Sequence, residues 1–265
     1  MIRTPISAKG QVALGALSLA LLLVGYTWLS WRQHQRFPTD TTIPDWGQLW
    51  NGVVRIVTPQ PRTGEVWLWL DVKATLSRLL AGMGLGIATA VVLGFAMGCW
   101  APAEAFFQPP LKIMAKLNPV AMLAIFFVMV GIGTGMFVAM IVFGITPVLA
   151  QNVYLSAKND IPEQLVHKAF TLGASTMEVV IHIVGHQVLP KIIEGVRLLI
   201  GPALVYLVAA EMIQSDAGFG YRIRTQMRLT RMDIIYPYIG FLALIGYLFD
   251  HGLQWLTYKL CPWYG

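Results

Sequence analysis

The segment 160–190, DIPEQLVHKAFTLGASTMEVVIHIVGHQVLP, is polar and charged although it lies in a strongly apolar chain. The 265 residues are 56% hydrophobic and only 12% charged, whereas soluble domains average roughly 25% charged residues. Mean hydropathy is +0.63. This composition predicts an all-α membrane protein, because helices satisfy their own backbone groups in lipid. Segment 160–190 is then a hydrophilic hairpin between two membrane spans.

Capping signals divide the hairpin into two short helices. Asp160 precedes Pro162 and is predicted to cap a helix that ends at Gly173, since glycine readily adopts the left-handed backbone of a helix end. Ser175 and Glu178 form an S-x-x-E capping box, which begins a second helix that continues to the proline closing the segment. Each helix has an apolar face that needs a partner, so docking is favoured over the alternative of a re-entrant or surface pair that only packs.

Charge-free apolar runs predict six spans, because a bilayer core requires about 20 apolar helical residues. The run from 116 to 158 is too long for one helix and is divided by glycines at 131, 133 and 135. The first run exceeds the h-region of a signal peptide and has no cleavage site after it, so it is interpreted as a retained anchor. The runs are Gln11–Leu29, the stretch between Arg78 and Glu104, the two halves of 116–158, Ile192–Ile213 and Ile234–Thr257.

Two further patterns concern helix packing. A small residue at every fourth position from Gly82 to Gly98 predicts a ridge that lets another helix approach closely. Trp46, Trp50 and other apolar residues at helical spacing predict a helix before the second span. That helix either lies in the membrane interface, where Trp is favoured, or packs on the other spans.

Charge and cysteine content constrain the function without fixing it. The basic residues behind the net charge of +6 are scattered, which does not favour a nucleic-acid partner. Lys and Arg are almost evenly divided between the two predicted sides, so charge does not decide the topology. Cys99 and Cys261 are far apart and are expected to be reduced. No phosphate-binding loop or hydrolase motif occurs, so the chain is not predicted to be an enzyme.

At the hairpin the chain resembles the membrane subunits of ATP-binding-cassette importers, in the branch that handles nitrate, sulfonates, taurine and bicarbonate. The similarity runs from about residue 71 to 257. AFTLGAS resembles the family's cytoplasmic loop signature E-A-A-x-x-x-G, and VMVGIGTG, GFGY and LPKIIEGVRLLIGPALVYLVAAEMI resemble other conserved segments. His167 and Lys168 stand where the signature has Glu and Ala, and His186 replaces a usual proline.

The resemblance implies a type I importer permease fold whose hairpin lies in the cytoplasm and couples an ATPase subunit to the spans. It implies a multi-pass location in a bacterial-type inner membrane. The implied partners are a second permease, most simply an identical copy, two ATPase subunits that carry ATP and Mg, and an external binding protein. No cofactor is expected on this chain. The implied ATPase-coupling residues are Leu165, His167, Lys168, Ala169, Phe170, Leu172, Gly173, Ala174 and Ser175.

Spans three to five are expected to line the translocation path, with Asn118 and Pro119 at its cytoplasmic mouth. Glu211 and the arginines at 224 and 228 complete the predicted pathway residues. Arginines at 222, 224, 228 and 231 lie on the predicted outer side, and the spacing of the last three predicts one helix face that attracts anions. Docking to the binding protein and ion pairs within the loop are the alternatives. A small anion, such as nitrate, bicarbonate or a sulfonate, is the expected cargo.

Two alternatives remain. Glu178, His182 and His186 share a helix face that could hold zinc or respond to pH, but H-E-x-x-H is absent and no third ligand is evident. A secondary transporter or channel driven by an ion gradient would carry ionisable residues deep in its spans, and few occur here. The predicted organisation is an anchor and external segment at 1–70, a permease core at 71–257 containing the hairpin 160–190, and a cytoplasmic tail at 258–265.

Overall fold

The computed structural model describes residues 7–37, 40–61 and 64–263, and within these ranges the chain is helical with no strand. The predicted all-helical class is therefore confirmed. Parts of the predicted N-terminal segment and the last two residues of the predicted tail lie outside the described residues. The helices are α1 Ala8–Arg36, α2 Trp46–Val57, α3 Trp67–Cys99, α4 Ala101–Met114, α5 Leu123–Val130, α6 Thr134–Asn159, α7 Glu163–Thr171, α8 Thr176–Glu178, α9 Gly185–Ile213, α10 Phe219–Arg228 and α11 Met232–Leu260.

The chain forms two compact units. The first contains the residues up to Trp67 together with Thr225–Ile239, and the second contains Leu68–Arg224 and Gly240–Gly265. The core of the second unit consists mainly of buried aliphatic side chains from α3, α6 and α9, including Leu79, Ile141 and Leu207.

Five helices in the described ranges are long and apolar enough to cross a membrane, whereas the sequence predicted six. The break at the glycines is confirmed, since Gly131 and Gly133 have φ of 84° and 139°. The helix before them, α5, has only eight residues. It measures about 12 Å, far less than the hydrocarbon thickness of about 30 Å, so it does not span alone. The five long spans are Lys9–Arg36, Trp67–Cys99, Thr134–Asn159, Thr176–Ile213 and Met232–Leu260.

The predicted small-residue ridge lies against α6, and the two helices run parallel. A Cβ added at Gly82, Gly86 or Gly94 would come within 2.5–2.8 Å of the side chains of Ile141, Ile145 and Val153, respectively. The residue number of the contact on α6 increases together with that of the glycine on α3, as it does when two packed helices run parallel. Close approach of this kind provides the packing energy between helices in lipid.

Because α3 and α6 are parallel, residues 100–133 must return the chain from the end of one helix to the beginning of the other. They do so as a broken pair, α4 and α5, that runs antiparallel to α6. Glu104 bonds Lys158 at one end of α6, and Val130 meets Gly135 at the other. The sixth crossing is therefore two short helices interrupted at Asn118, where the following proline cannot continue a helix.

The first unit joins α1 to α2 through polar contacts. The Tyr26 hydroxyl donates to the Pro44 carbonyl at 2.6 Å, and the Trp46 ring lies edge-on to Tyr26. Asp40 lies in the connection, where hydrogen bonds from the Thr42 hydroxyl and the Gln33 amide lower the pKa of its carboxyl to about 2.

Helix α2 is confirmed, and Asp45 and Gln48 form its capping box. Its buried face differs from the predicted apolar stripe. Gly52 packs against the backbone of Asp233, whereas Trp46 and Trp50 remain 51% and 67% exposed. Trp46 nevertheless contacts α1, since its ring N–H donates to the Thr27 hydroxyl at 3.2 Å. Within the first unit, the exposed Trp50 ring is therefore the part of the stripe that suits the membrane interface.

Candidate functional site

The first hairpin helix, α7, does not have the predicted N-cap but ends where predicted. Pro162 is its N-cap residue and makes no side-chain cap, so the predicted cap by Asp160 is wrong; Asp160 instead ends α6. The end is as predicted. Gly173 has φ of +87°, the left-handed region that favours glycine, and its N–H donates to the Phe170 carbonyl at 3.0 Å.

The second hairpin helix begins as predicted but does not end at Pro190. Ser175 and Glu178 form the reciprocal capping box, with the Ser175 N–H donating to Glu178 Oε2 at 2.7 Å. A π-helical turn, Val179–Val184, follows and leads directly into α9. Helical structure therefore continues from Thr176 to Ile213. The proline is accommodated inside the helix, so this hairpin arm is continuous with a long apolar helix.

The hairpin separates a buried side from an exposed side. Ala169 is buried, as are Val179 and Val184. The Leu172 side chain at the hairpin tip is 88% exposed, and Met177 is 59% exposed. Exposed apolar side chains clustered in this way mark an interaction surface. Of the remaining predicted coupling residues, Ala174 is half-buried, and the exposed ones are Leu165, His167, Lys168, Phe170, Gly173 and Ser175.

A cavity of about 380 Å³ lies beneath the hairpin, where α7 and the π turn meet the ends of α3 and α6. Its lining is mainly apolar and includes Cys99, Ala157, Val166 and Val180. Lys158 at its edge donates to Glu104 at 2.7 Å. The hairpin therefore packs against the C-terminal ends of both parallel helices, α3 and α6.

The three residues considered as an alternative zinc site do not form a cluster in the described part of the chain. The rings of His182 and His186 have centroids 6.4 Å apart, and the His186 ring lies 5.8 Å from that of Trp263. Glu178 is engaged with Ser175 in the capping box. Among the described residues no group of three potential ligands occurs.

Glu211 occupies a buried ion network rather than an open path. Its carboxylate is fully buried and accepts hydrogen bonds from the Thr75 hydroxyl at 2.9 Å and from Arg78 Nη1 at 2.8 Å. The Gly220 N–H donates to the second oxygen at 3.0 Å. Because the carboxylate is enclosed and its oxygens are occupied, a cargo does not reach it in this conformation. The network joins α3 to α9 and to the beginning of α10.

A second buried pair reinforces this junction. Arg222 Nε donates to Asp71 at 2.8 Å, and the Gly218 N–H donates to the same carboxylate at 3.0 Å. Gly218 has φ of +120°, and a Cβ there would collide with the Glu211 carboxylate. The sequence offered only GFGY as a signal for this site. Asp71, Thr75 and Arg78 were missed because their partners lie more than 130 residues away.

The arginine cluster does not form the predicted helix face. Helix α10 ends at Arg228, and Thr230 has φ of +56°, so Arg231 lies beyond a turn. Arg231 pairs with Asp233 at 2.9 Å. Arg224 donates to the Ile213 carbonyl at 2.6 Å. Of the predicted anion-attracting set, Arg224 and Arg228 are the two that pair with no carboxylate among the described residues.

Asn118 lies at a different position along α6 from the one predicted. Its side chain accepts from the Val120 N–H at 3.0 Å, which stabilises the turn between α4 and α5. The neighbouring Pro119 packs near Gly144, in the middle part of α6, together with the Tyr206 ring. The prediction that Asn118 lies at the cytoplasmic mouth of the path is therefore wrong. Helix α4 starts at the hairpin end of α6 and runs along it, so the turn that follows α4 lies near the middle of α6.

The model of the family of binding-protein-dependent transport system inner membrane components matches residues 82–260. The matched range contains the hairpin, the small-residue ridge and Glu211. The chain belongs to this family of transport permeases. The expected membership in the permease family of binding-protein-dependent importers is thereby confirmed, and the relatives that follow support the expected branch.

Several relatives of the permease are similar over most of their length. The taurine transport system permease protein TauC of Escherichia coli is 25% identical over 99% of this chain and 93% of its own. The putative aliphatic sulfonates transport permease protein SsuC of Bacillus subtilis is 26% identical, covering 76% and 72%. The nitrate import permease protein NrtB of Synechococcus elongatus is 24% identical, covering 74% and 71%.

A solved structure supports the fold. An inward-facing MetNI methionine ABC transporter chain matches with a TM-score of 0.62 and 17% identity, covering 82% of this permease and 99% of that chain. The type I importer permease fold is therefore shown, as the hairpin signature led us to expect.

Proposed function

We propose that this permease forms the translocation path of an ATP-driven importer for a small anion, such as nitrate, bicarbonate or a sulfonate. Family membership supports the transport role. The names of three relatives, which concern taurine, aliphatic sulfonates and nitrate, support the cargo class. Taurine, sulfonates and nitrate all carry a small oxyanion group. The permease would work with a second copy of itself, two ATPase subunits and an external binding protein, in an inner membrane.

The observation that carries the coupling role is the exposed apolar tip of the hairpin. Leu172 is almost fully exposed next to the left-handed Gly173, while the helix that follows continues unbroken into a span. A subunit that grips this tip moves the span without an intervening flexible loop. We assign the ATPase contact to the exposed coupling residues named above, with Ala169 holding α7 against the permease.

An ion-gradient mechanism has less support from the geometry. Three ion pairs join ionisable residues of different helices at 2.8 Å: Arg78 with Glu211, Arg222 with Asp71, and Arg197 with Asp250. Removing one member of a buried pair would leave an uncompensated charge, so each partner depends on the other.

Reconstitution tests the proposed function. The complex with its co-purifying ATPase is placed in vesicles, and uptake of taurine, ethanesulfonate, nitrate and bicarbonate is measured with the cognate binding protein outside. We expect uptake of at least one of these oxyanion-bearing compounds only when ATP is present on the hairpin side. Uptake driven by a proton or sodium gradient, without ATP and without the ATPase, would contradict the proposal, as would a binding protein that selects a cation.

A salt titration tests the anion-attracting role of the two unpaired arginines. In Arg224→Gln with Arg228→Gln, we expect uptake to fall about fivefold at roughly 0.01 M ionic strength, where charges act over about 30 Å, and hardly at roughly 1 M, where they act over about 3 Å. Lys259→Gln, at the far end of α11, is the control for charge loss. If the double variant and the wild type have the same salt profile, the arginines do not steer the anion.

A further inference from the structure

The turn between α4 and α5 lies far from both ends of α6. Pro119 packs near Gly144, where a Cβ would come 3.0 Å from Pro119 Cγ. Gly144 lies about 15 Å along α6 from Thr134 and about 22 Å from Asn159, at 1.5 Å per residue. Since α6 spans a hydrocarbon layer of about 30 Å, the turn is inside that layer.

This turn has polar groups on its outer surface. Lys116 and Asn118 are exposed, and Lys112 is exposed one turn earlier on α4. Among the described residues, no carboxylate pairs with the Lys116 ammonium. Asn118 Oδ1 accepts from Val120, which leaves its amide free to donate.

Such a surface is incompatible with lipid. Irregular backbone at this depth is tolerated only where it is buried in protein or lines water, and a lipid-facing Lys at mid-depth costs several kcal/mol, at least about 2.5. A lysine side chain is also shorter than the distance to either membrane surface, so it does not escape by snorkelling.

We propose that this face of the turn lines the water-filled path, and that Lys116, with the Asn118 amide beside it, binds the oxyanion group of the cargo in transit. The assignment of cargo class rests on the proposed function. An ammonium and an amide are both donors, and together they suit the several acceptor oxygens of a sulfonate or nitrate. Discontinuous helices contribute such sites in other transporter folds, near the middle of the bilayer.

Thiol labelling tests the water-lined surface independently of cargo identity. In the full complex lacking Cys99 and Cys261, a single cysteine at Lys116 is compared with one at Leu22, at the apolar centre of α1, using a charged water-soluble reagent. The thiolate is the reactive form of cysteine, and apolar surroundings suppress its formation. We therefore expect Lys116→Cys to react at least about tenfold faster than Leu22→Cys. Equal, slow labelling at both positions would overturn the proposal; Asn118→Cys repeats the test if the first variant does not assemble.

Charge substitution tests the cargo contact. We expect Lys116→Gln to reduce uptake of taurine, ethanesulfonate or nitrate about tenfold or more, because a charged hydrogen bond is lost, whereas Lys116→Arg retains most of it. Lys259→Gln is the control. Wild-type oxyanion uptake by Lys116→Gln would refute the cargo contact and leave the proposed function standing. If the wild-type complex carries no oxyanion, the proposed function fails, and fast labelling at Lys116 still identifies the path.

Discussion

At the scale of single residues, the hairpin depends on the backbone of Gly173 rather than on its contacts. Its φ of +87° is strained for any residue with a Cβ, yet nothing lies within 4 Å of where that Cβ would be. A side chain therefore fits in space but disfavours the left-handed conformation, by about 1–2 kcal/mol. A side chain at position 173 is therefore expected to change the angle between α7 and the helical arm that continues into α9.

Gly173→Val is expected to uncouple ATP hydrolysis from transport while the complex still assembles, because the altered turn changes how the hairpin meets its partner. The measurement is the ratio of ATP hydrolysed to cargo imported in vesicles. Gly252→Val on α11 is the matched control, since that glycine has an ordinary φ and equally open surroundings. A normal ratio in Gly173→Val would show that the turn geometry is not needed for coupling.

At the scale of helices, the parallel packing of α3 on α6 sets the architecture of the second unit. Four glycines of α3 face α6 at distances that leave no room for a methyl group, namely Gly82, Gly86, Gly94 and Gly98. The hairpin rests on the ends of both helices, and the buried Glu211 and Asp71 pairs join the opposite part of α3 to α9 and α10. A shift between α3 and α6 is therefore transmitted to both regions.

A pair of glycines two residues apart tests this packing. In Gly86→Ala the new methyl would come 2.6 Å from Ile145, whereas at Gly84 nothing lies within 4 Å. We expect Gly86→Ala to destabilise the permease by about 1–3 kcal/mol, the usual cost of overpacking, and to lower the unfolding temperature in detergent. Gly84→Ala should stay close to wild type. Equal unfolding temperatures for the two variants would contradict the close helix contact.

At the scale of the whole chain, the direction of each crossing follows from the contacts within the second unit. Helices α3 and α6 both end at the hairpin, the α4–α5 pair runs opposite to them, and α9 leaves the hairpin in the reverse direction. We expect the hairpin side to be the cytoplasm, which places the beginning of α3 on the outer side.

Single cysteines at Thr176 and Trp50 are expected to label from opposite sides of the membrane in a background lacking Cys99 and Cys261. Both positions are exposed in the structure. An impermeant reagent added to intact cells should modify Trp50→Cys and reach Thr176→Cys only after lysis. Modification of both positions in intact cells would contradict this topology.

Features that depend on local chemistry could be predicted before the fold was known. The Ser175 capping box, the left-handed Gly173, the small-residue ridge and the glycine break before α6 were all predicted correctly, because each arises from the conformational preferences of neighbouring residues. Where local signals competed, the prediction failed. Asp160 had the chemistry of an N-cap but ends α6, and Pro190 looked like a stop but lies within a continuous helix.

Features that depend on distant partners could be established from the three-dimensional packing but not from local patterns. The parallel register of α3 and α6 turned an expected sixth long span into a broken crossing and placed Asn118 deep along α6. The enclosure of Glu211 by Thr75 and Arg78 required residues that are far apart in the chain to meet in the second unit. Hydropathy measures how apolar a segment is. The neighbours that pair with its polar groups depend on how the helices pack, and local sequence patterns carry no information about that packing.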